Sequence, residues 1–218
     1  DMKLLNQITK GDWIVNEIVG ENSKKKELLI TTTKDSPKEK QLYAVNWETG
    51  KLRKITTDAG IHNVSISSNG EYAIDNWSNE TTPRKVDLLD TKGKLKSNLL
   101  TAKNPLSDYN TAKVENVTLK ADDGTDLYGK LIYPTNFDKT KKYPVIVYLY
   151  NGPHAQLITN RFPATGNLWY DVLAEKGYVV FTMDGRGSSN RGLKFEQAIH
   201  GNVATTEMND QMKGVEFL

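Results

Sequence analysis

The chain contains no cysteine, which removes disulfides, thiolate metal sites and a cysteine nucleophile together. That absence does not fix a compartment. No uninterrupted apolar run approaches the ~18 to 20 residues of a spanning helix, so no membrane span is expected. The N-terminal DMKLLNQITK lacks the apolar core of a signal peptide. An excess of one charge is missing too. There are 29 basic and 27 acidic residues, a formal net charge of +2. That balance gives no reason to expect nucleic acid or an anionic membrane as a partner. The runs KKK at 24–26 and KTKK at 139–142 lie in polar connections and read as solvated surface.

Several motifs are absent as well. There is no G-x-x-x-x-G-K-[ST] phosphate loop and no H-E-x-x-H metal pair. No G-x-S-x-G nucleophile elbow occurs in the 218 residues. DGRGSSNRG, 184–192, follows the apolar run YVVFTM and looks at first like a phosphate cradle. Gly185 and Gly187 fit the G-x-G-x-x-G spacing, but Asn190 stands where the third glycine belongs. The next helical pattern starts near residue 204, too late for a tight pyrophosphate turn. Ser188 and Ser189 sit in a long loop rather than a sharp elbow. Asp184, Arg186 and Arg191 are expected to tie that loop down. His62, His154 and His200 are the only histidines, and each reads as an ordinary surface or loop residue. No cofactor or metal is expected. Glu207 and Asp210 read as acids that complement a helix N-terminus.

What remains has two grammars. Residues 1–110 are short alternating runs rich in Val, Ile, Thr, Tyr and Trp, broken by ETGK, SNGE and TKGK turns. LYAVNWETGKLRKIT and KVDLLDTKGKLKSNL repeat a strand, a Gly turn and Lys-Leu. Gly50 corresponds to Gly93 and Ile8 to Ile55, a period of roughly forty to fifty residues, the spacing of propeller blades. A generic antiparallel sandwich is the alternative. Two blades cannot close a propeller, and the chain opens and stops inside patterned segments, so both ends are expected to continue in a longer protein.

Residues 111–218 alternate strands and helices. VENVTLKADDGTDLYGKLIYP reads as a hairpin turning at DDGT. KKYPVIVYLYNGP and YVVFTMDGRG read as strands buried on both faces. NLWYDVLAEKG presents Leu168, Val172 and Leu173 at helical spacing and stops at Gly177. ATTEMNDQMKGVEFL places Met208, Met212, Val215 and Leu218 on one apolar helical face, with Thr205 or Thr206 as N-cap and Glu207 in the first turn. Tyr150, in YLYNGP, closes the first of these strands, where ligands gather in open α/β sheets. On residue type alone it is either a strand-end tyrosine or a donor aimed into a cleft.

FDKTKKYPVIVYLYNGPHAQ, VVFTMDGRGSSNRG and TTEMNDQMKGVEFL, in this order and spacing, resemble the prolyl oligopeptidase superfamily. The likeness is strongest to the dipeptidyl peptidase IV subfamily in its bacterial form. It implies a mixed fold, with 1–110 as the last two blades of a β-propeller. Residues 111–218 would be the N-terminal part of an α/β-hydrolase domain, stopping before the nucleophile elbow. It implies a serine exopeptidase that removes N-terminal X-Pro or X-Ala dipeptides from peptide substrates, without cofactor or metal. Tyr150 then matches the oxyanion-hole donor, while the catalytic Ser, Asp and His fall outside the chain, which alone is expected to be inactive. Substrate-binding residues are not assigned. The resemblance further implies a periplasmic or cell-envelope location and a homodimer of the full-length protein. Other readings are an acylaminoacyl peptidase or oligopeptidase of the same superfamily, or a non-catalytic β-repeat binding module.

Overall fold

A computed structural model describes residues 3–218. The chain divides into two compact units, Asp1–Lys103 and Asn104–Leu218.

The first unit is built from β1 (Val15–Asn22), β2 (Glu27–Thr32), β3 (Gln41–Asn46) and β4 (Leu52–Lys54), then β5 (Ile61–Ile66), β6 (Tyr72–Ser78), β7 (Lys85–Asp90) and β8 (Leu95–Thr101). Each group of four forms an antiparallel sheet in sequence order. Such up-and-down sheets are propeller blades. Side chains alternate along each strand, so β2 sends Leu28 and Ile30 to one face and Leu29 to the other. Leu29, Leu42, Ala44 and Ile55 pack with Ala73 between the two blades. Ile30, Tyr43 and Val45 form a second cluster on the opposite face of the first blade.

The repeat has a physical counterpart. A Cβ on Gly50 would stand 2.9 Å from the carbonyl oxygen of Ile8, and one on Gly93 would stand 3.0 Å from that of Ile55. Each turn glycine, at φ +69° and +96°, lies against the carbonyl of the corresponding isoleucine. Backbone approach at positive φ is what selects glycine there.

His62 departs from the expected surface position. It is 1% exposed, stacks on Trp77 and lies with Nδ1 2.7 Å from Asp75 Oδ2 and Nε2 2.9 Å from the carbonyl of Asp58. A buried ring needs both nitrogens satisfied, and Asp75 of β6 and the loop carbonyl of Asp58 supply the partners.

The second unit carries β9 (Lys113–Lys120), β10 (Asp126–Tyr133), β11 (Val145–Tyr148), α1 (Leu168–Glu175), β12 (Val179–Asp184), α2 (Leu193–Glu196) and α3 (Thr206–Phe217). The sheet order is β11-β12-β10-β9. The β9–β10 hairpin turns through Gly124 at φ +82°, and β11 runs parallel to β12. On one face Leu127, Leu131, Phe181 and Met183 pack with Phe195. On the other, Ile132 and Val180 meet Tyr170 and Ala174 of α1. Sheet faces covered from both sides are the opening of an α/β-hydrolase sheet, so the fold is mixed: propeller blades, then α/β.

Three expectations are corrected. β12 is buried throughout, but β11 is the edge strand of the described sheet, with Val145 and Tyr148 exposed. An apolar run marks a strand suited to burial without saying on which sides it has neighbours. In α1 the buried residues are Tyr170 and Ala174, while Leu168 and Val172 stay exposed. Its stop is as read, with Gly177 following at φ +89°; at its start Asn167 Oδ1 accepts from the N–H of Trp169. The third correction is α3, which lies with its polar side inward. Glu207, Asp210, Gln211 and Gly214 are buried; Met208, Met212, Val215 and Leu218 are each about half exposed. Gly214 sets that orientation, since a Cβ there would overlap the Phe181 ring. Thr205 is the N-cap but makes no side-chain capping bond, and the Thr206 hydroxyl donates instead to the carbonyl of Ala198.

Candidate functional site at the carboxyl edge of the second sheet

Because β11 and β12 are parallel, both carboxyl ends open onto the same edge. The chain leaves β11 through Leu149-Tyr150-Asn151-Gly152-Pro153 and leaves β12 through the DGRGSSNRG loop. Tyr150 is 63% exposed, and its hydroxyl has no hydrogen-bond partner among the described residues. The ring lies over Gly152, where a Cβ would stand 2.8 Å from Tyr150 Cε1. A side chain at 152 would therefore displace the ring. A phenol held this way can donate one hydrogen bond to an oxyanion brought to the edge.

The two loops are tied to each other. The Asp184 carboxylate accepts from the N–H groups of Leu157 (2.8 Å) and Ile158 (2.9 Å). Burial pushes that carboxyl above the ordinary range, and the two backbone donors oppose the shift. Ser189 N–H donates to the carbonyl of Ala155, and Asn190 Nδ2 to Gln156 Oε1. Lys130 is buried, and its Nζ donates to the carbonyls of Thr159 and Ala164, holding the far end of the same segment.

Arg186 ties the loop down by ion pairs, as expected, whereas Arg191 packs on aromatic rings instead. Arg186 meets both carboxylate oxygens of Asp210 and also reaches Asp123. Asp210 raises the Arg186 guanidinium further above its usual range. The Arg191 guanidinium lies 4.5 Å from the ring centroids of both Tyr128 and Phe195. The Arg186 guanidinium is thus committed to two carboxylates. Ser188 donates its buried hydroxyl to the carbonyl of Gly185, which leaves it no role as a nucleophile.

His154 is exposed, with Nδ1 3.1 Å from Glu196 Oε1. Exposed His200 follows a short 3₁₀ turn, Gln197–Ile199. Glu207 lies in the first turn of α3, as read, whereas Asp210 lies one turn further along. Both are buried, and Asp210 is the anchor of Arg186. Sequence reasoning also missed Gln211, 3% exposed, whose Nε2 donates to Asn151 Oδ1 and to the carbonyl of Met183. Its signal was the polar run Asn-Asp-Gln inside a helical pattern. Among the described residues no group of three or more His, Asp and Glu side chains could hold a metal ion. Among the described residues no helix is long and apolar enough to cross a membrane.

Comparison with known proteins agrees with this architecture. Residues 1–84 match the family model of the dipeptidyl peptidase IV N-terminal region, and residues 167–218 that of the prolyl oligopeptidase family. The chain is 34% identical to human dipeptidyl peptidase 8, over 97% of its own length and 25% of that protein. It is 31% identical to dipeptidyl-aminopeptidase B of Aspergillus niger, over 94% of itself and 23% of that protein. Among solved structures, a Bacteroides ovatus protein provisionally described as a dipeptidyl aminopeptidase IV superposes with a TM-score of 0.89 at 44% identity, covering 97% of this chain and 30% of that one. Dipeptidyl peptidase 4 of Porphyromonas gingivalis gives 0.88 at 27% identity, covering 98% and 30%. The chain thus spans about a quarter to a third of the length of these relatives. With blades, sheet, loop motifs and relatives in agreement, the chain belongs to the prolyl oligopeptidase family of serine hydrolases, in its dipeptidyl peptidase IV branch.

Proposed function

We propose that this chain is part of a serine exopeptidase that removes N-terminal X-Pro or X-Ala dipeptides by acyl transfer. Residues 1–110 serve as the last two propeller blades and 111–218 as the first part of the hydrolase domain. Tyr150 is the oxyanion-hole donor. A serine oxygen attacks the carbonyl carbon of the second residue, the C=O electron pair moves onto oxygen, and the Tyr150 hydroxyl donates to that oxyanion. The histidine takes the serine's proton as the C–O bond forms, and the intermediate collapses with C–N cleavage, that proton passing to the departing amine. Water then hydrolyses the acyl-enzyme. With no G-x-S-x-G elbow among the 218 residues, the nucleophile and its partners come from other parts of a longer protein.

The observation that carries this reading is the exposed, unpartnered Tyr150 hydroxyl just beyond β11, over a glycine that makes room for its ring. The relatives' dipeptidyl peptidase names support the substrate class. On the family resemblance alone, the proposal extends to a periplasmic or cell-envelope location and a homodimer of the full-length protein.

The test is an assay with glycyl-prolyl and alanyl-prolyl chromogenic amides. The longer protein containing this chain releases the chromophore, and the 218-residue chain alone releases none. Blocking the substrate's N-terminal amine abolishes release. Turnover by the chain alone, or equal turnover of blocked substrates, contradicts the proposal; the second result points to an acylaminoacyl peptidase or oligopeptidase.

A further inference from the structure

Tyr150 is followed by a residue in an unusual backbone state. Asn151 has φ +48°, in the left-handed region that a non-glycine residue adopts at a cost. Its side chain does not turn back on its own backbone or point into solvent. Asn151 Oδ1 accepts from Gln211 Nε2 at 2.8 Å, and the same nitrogen donates to the carbonyl of Met183, near the end of β12, at 3.0 Å. Gln211 is 3% exposed. Gly185 lies beside both groups: a Cβ there would stand 3.3 Å from Asp210 Cβ and in ordinary contact, 3.5 Å, with Asn151 Oδ1. One buried amide thus ties the turn after β11 to the end of β12 and to the inner side of α3.

We propose that the Asn151–Gln211 hydrogen bond is a positioning latch for Tyr150. It holds the left-handed turn that throws the phenol outward, while Gly152 leaves room beneath the ring. The inference rests on the reading of Tyr150 as oxyanion donor and adds the residues that aim it. It also explains why α3 turns its polar side inward: Asp210 fixes the β12 loop through Arg186, and Gln211, one residue on, fixes the β11 turn. A donor misplaced by as little as an ångström loses much of its value to a transition state.

The test is a double-mutant cycle on the full-length enzyme, with a glycyl-prolyl chromogenic amide as substrate. Asn151→Gly keeps the left-handed conformation accessible and removes the latch. It is expected to lower kcat about tenfold and to change KM less than about twofold, because the lost aim matters in the transition state. Gln211→Met, which keeps the volume and removes the donor, should do the same, with its melting curve reporting that it folds. In the Tyr150→Phe background, Asn151→Gly should cost less than a further factor of about two, since no donor is left to aim. If Asn151→Gly lowers kcat equally in both backgrounds, or raises KM alone, the latch is overturned while the donor role of Tyr150 stands. If Tyr150→Phe leaves kcat intact, the donor reading fails, and the latch fails with it.

Discussion

Asp210 receives Arg186 twice. Its carboxylate oxygens accept from the guanidinium at 2.6 to 3.1 Å, and Oδ2 also accepts from the Arg186 backbone N–H at 2.7 Å. One side chain of α3 thereby fixes both the arm and the backbone of the loop that leaves β12. The Asp210 side chain is 1% exposed and that of Arg186 16%, so the pair is shielded from water and salt. Removing Asp210 leaves Arg186 only its bond to the exposed Asp123 carboxylate, a loss of about 1 to 3 kcal/mol. Asp210→Ala should lower the urea midpoint of the chain accordingly. Asp210→Asn, which keeps the shape and one acceptor, should lose less. A midpoint unchanged in Asp210→Ala would show that the pair is not an anchor.

The orientation of α3 gives a paired prediction on the 218-residue chain. Gly214→Ala forces a methyl into the Phe181 ring and should cost about 1 to 3 kcal/mol, as overpacking does. Met212→Glu, at a position 46% exposed, should stay within about 0.5 kcal/mol of the parent. A helix turned the other way, with its methionines inward, would reverse that ranking.

That helix also marks where the sequence stops being legible. Blade spacing, the hairpin turn, the Gly177 stop and the exit of Tyr150 from its strand could all be read, because each depends on neighbours close in sequence or on a turn that demands glycine. The inward side of α3 could not be read from its pattern. Met208, Met212, Val215 and Leu218 form the more apolar stripe, yet Asp210 and Gln211 find partners on loops far away in sequence. Hydrogen bonds to distant loops outweigh a local apolar moment, and no periodicity registers them. His62 was missed for the same reason: its burial depends on Asp75 and Trp77 of the next strand.

The acid response of the blades can be assigned in part. The Asp90 carboxyl is lowered to about 2, first by the ion pair with Lys96 and then by the backbone N–H groups of Lys94 and Lys92. An unfolded aspartate titrates at ~3.9, so the native state favours the ionised form. The stability this confers is full above about pH 4 and is lost as pH falls through about 2. Asp90→Asn should therefore lower stability at neutral pH and flatten the loss between pH 4 and pH 2, as read from urea midpoints against pH. An unaltered slope in that window would remove Asp90 as a contributor.

The most direct measurement of the central claim is the steady-state kinetics of Tyr150→Phe in the full-length enzyme on an X-Pro chromogenic amide. The substitution removes one hydroxyl from an exposed side chain and leaves the loop bonds of Asp184, Arg186 and Asn151 in place. If Tyr150 donates to the tetrahedral oxyanion, kcat falls by about 10²- to 10³-fold while KM stays within a few-fold. An enzyme with unchanged kcat, or one altered only in KM, would contradict the assignment.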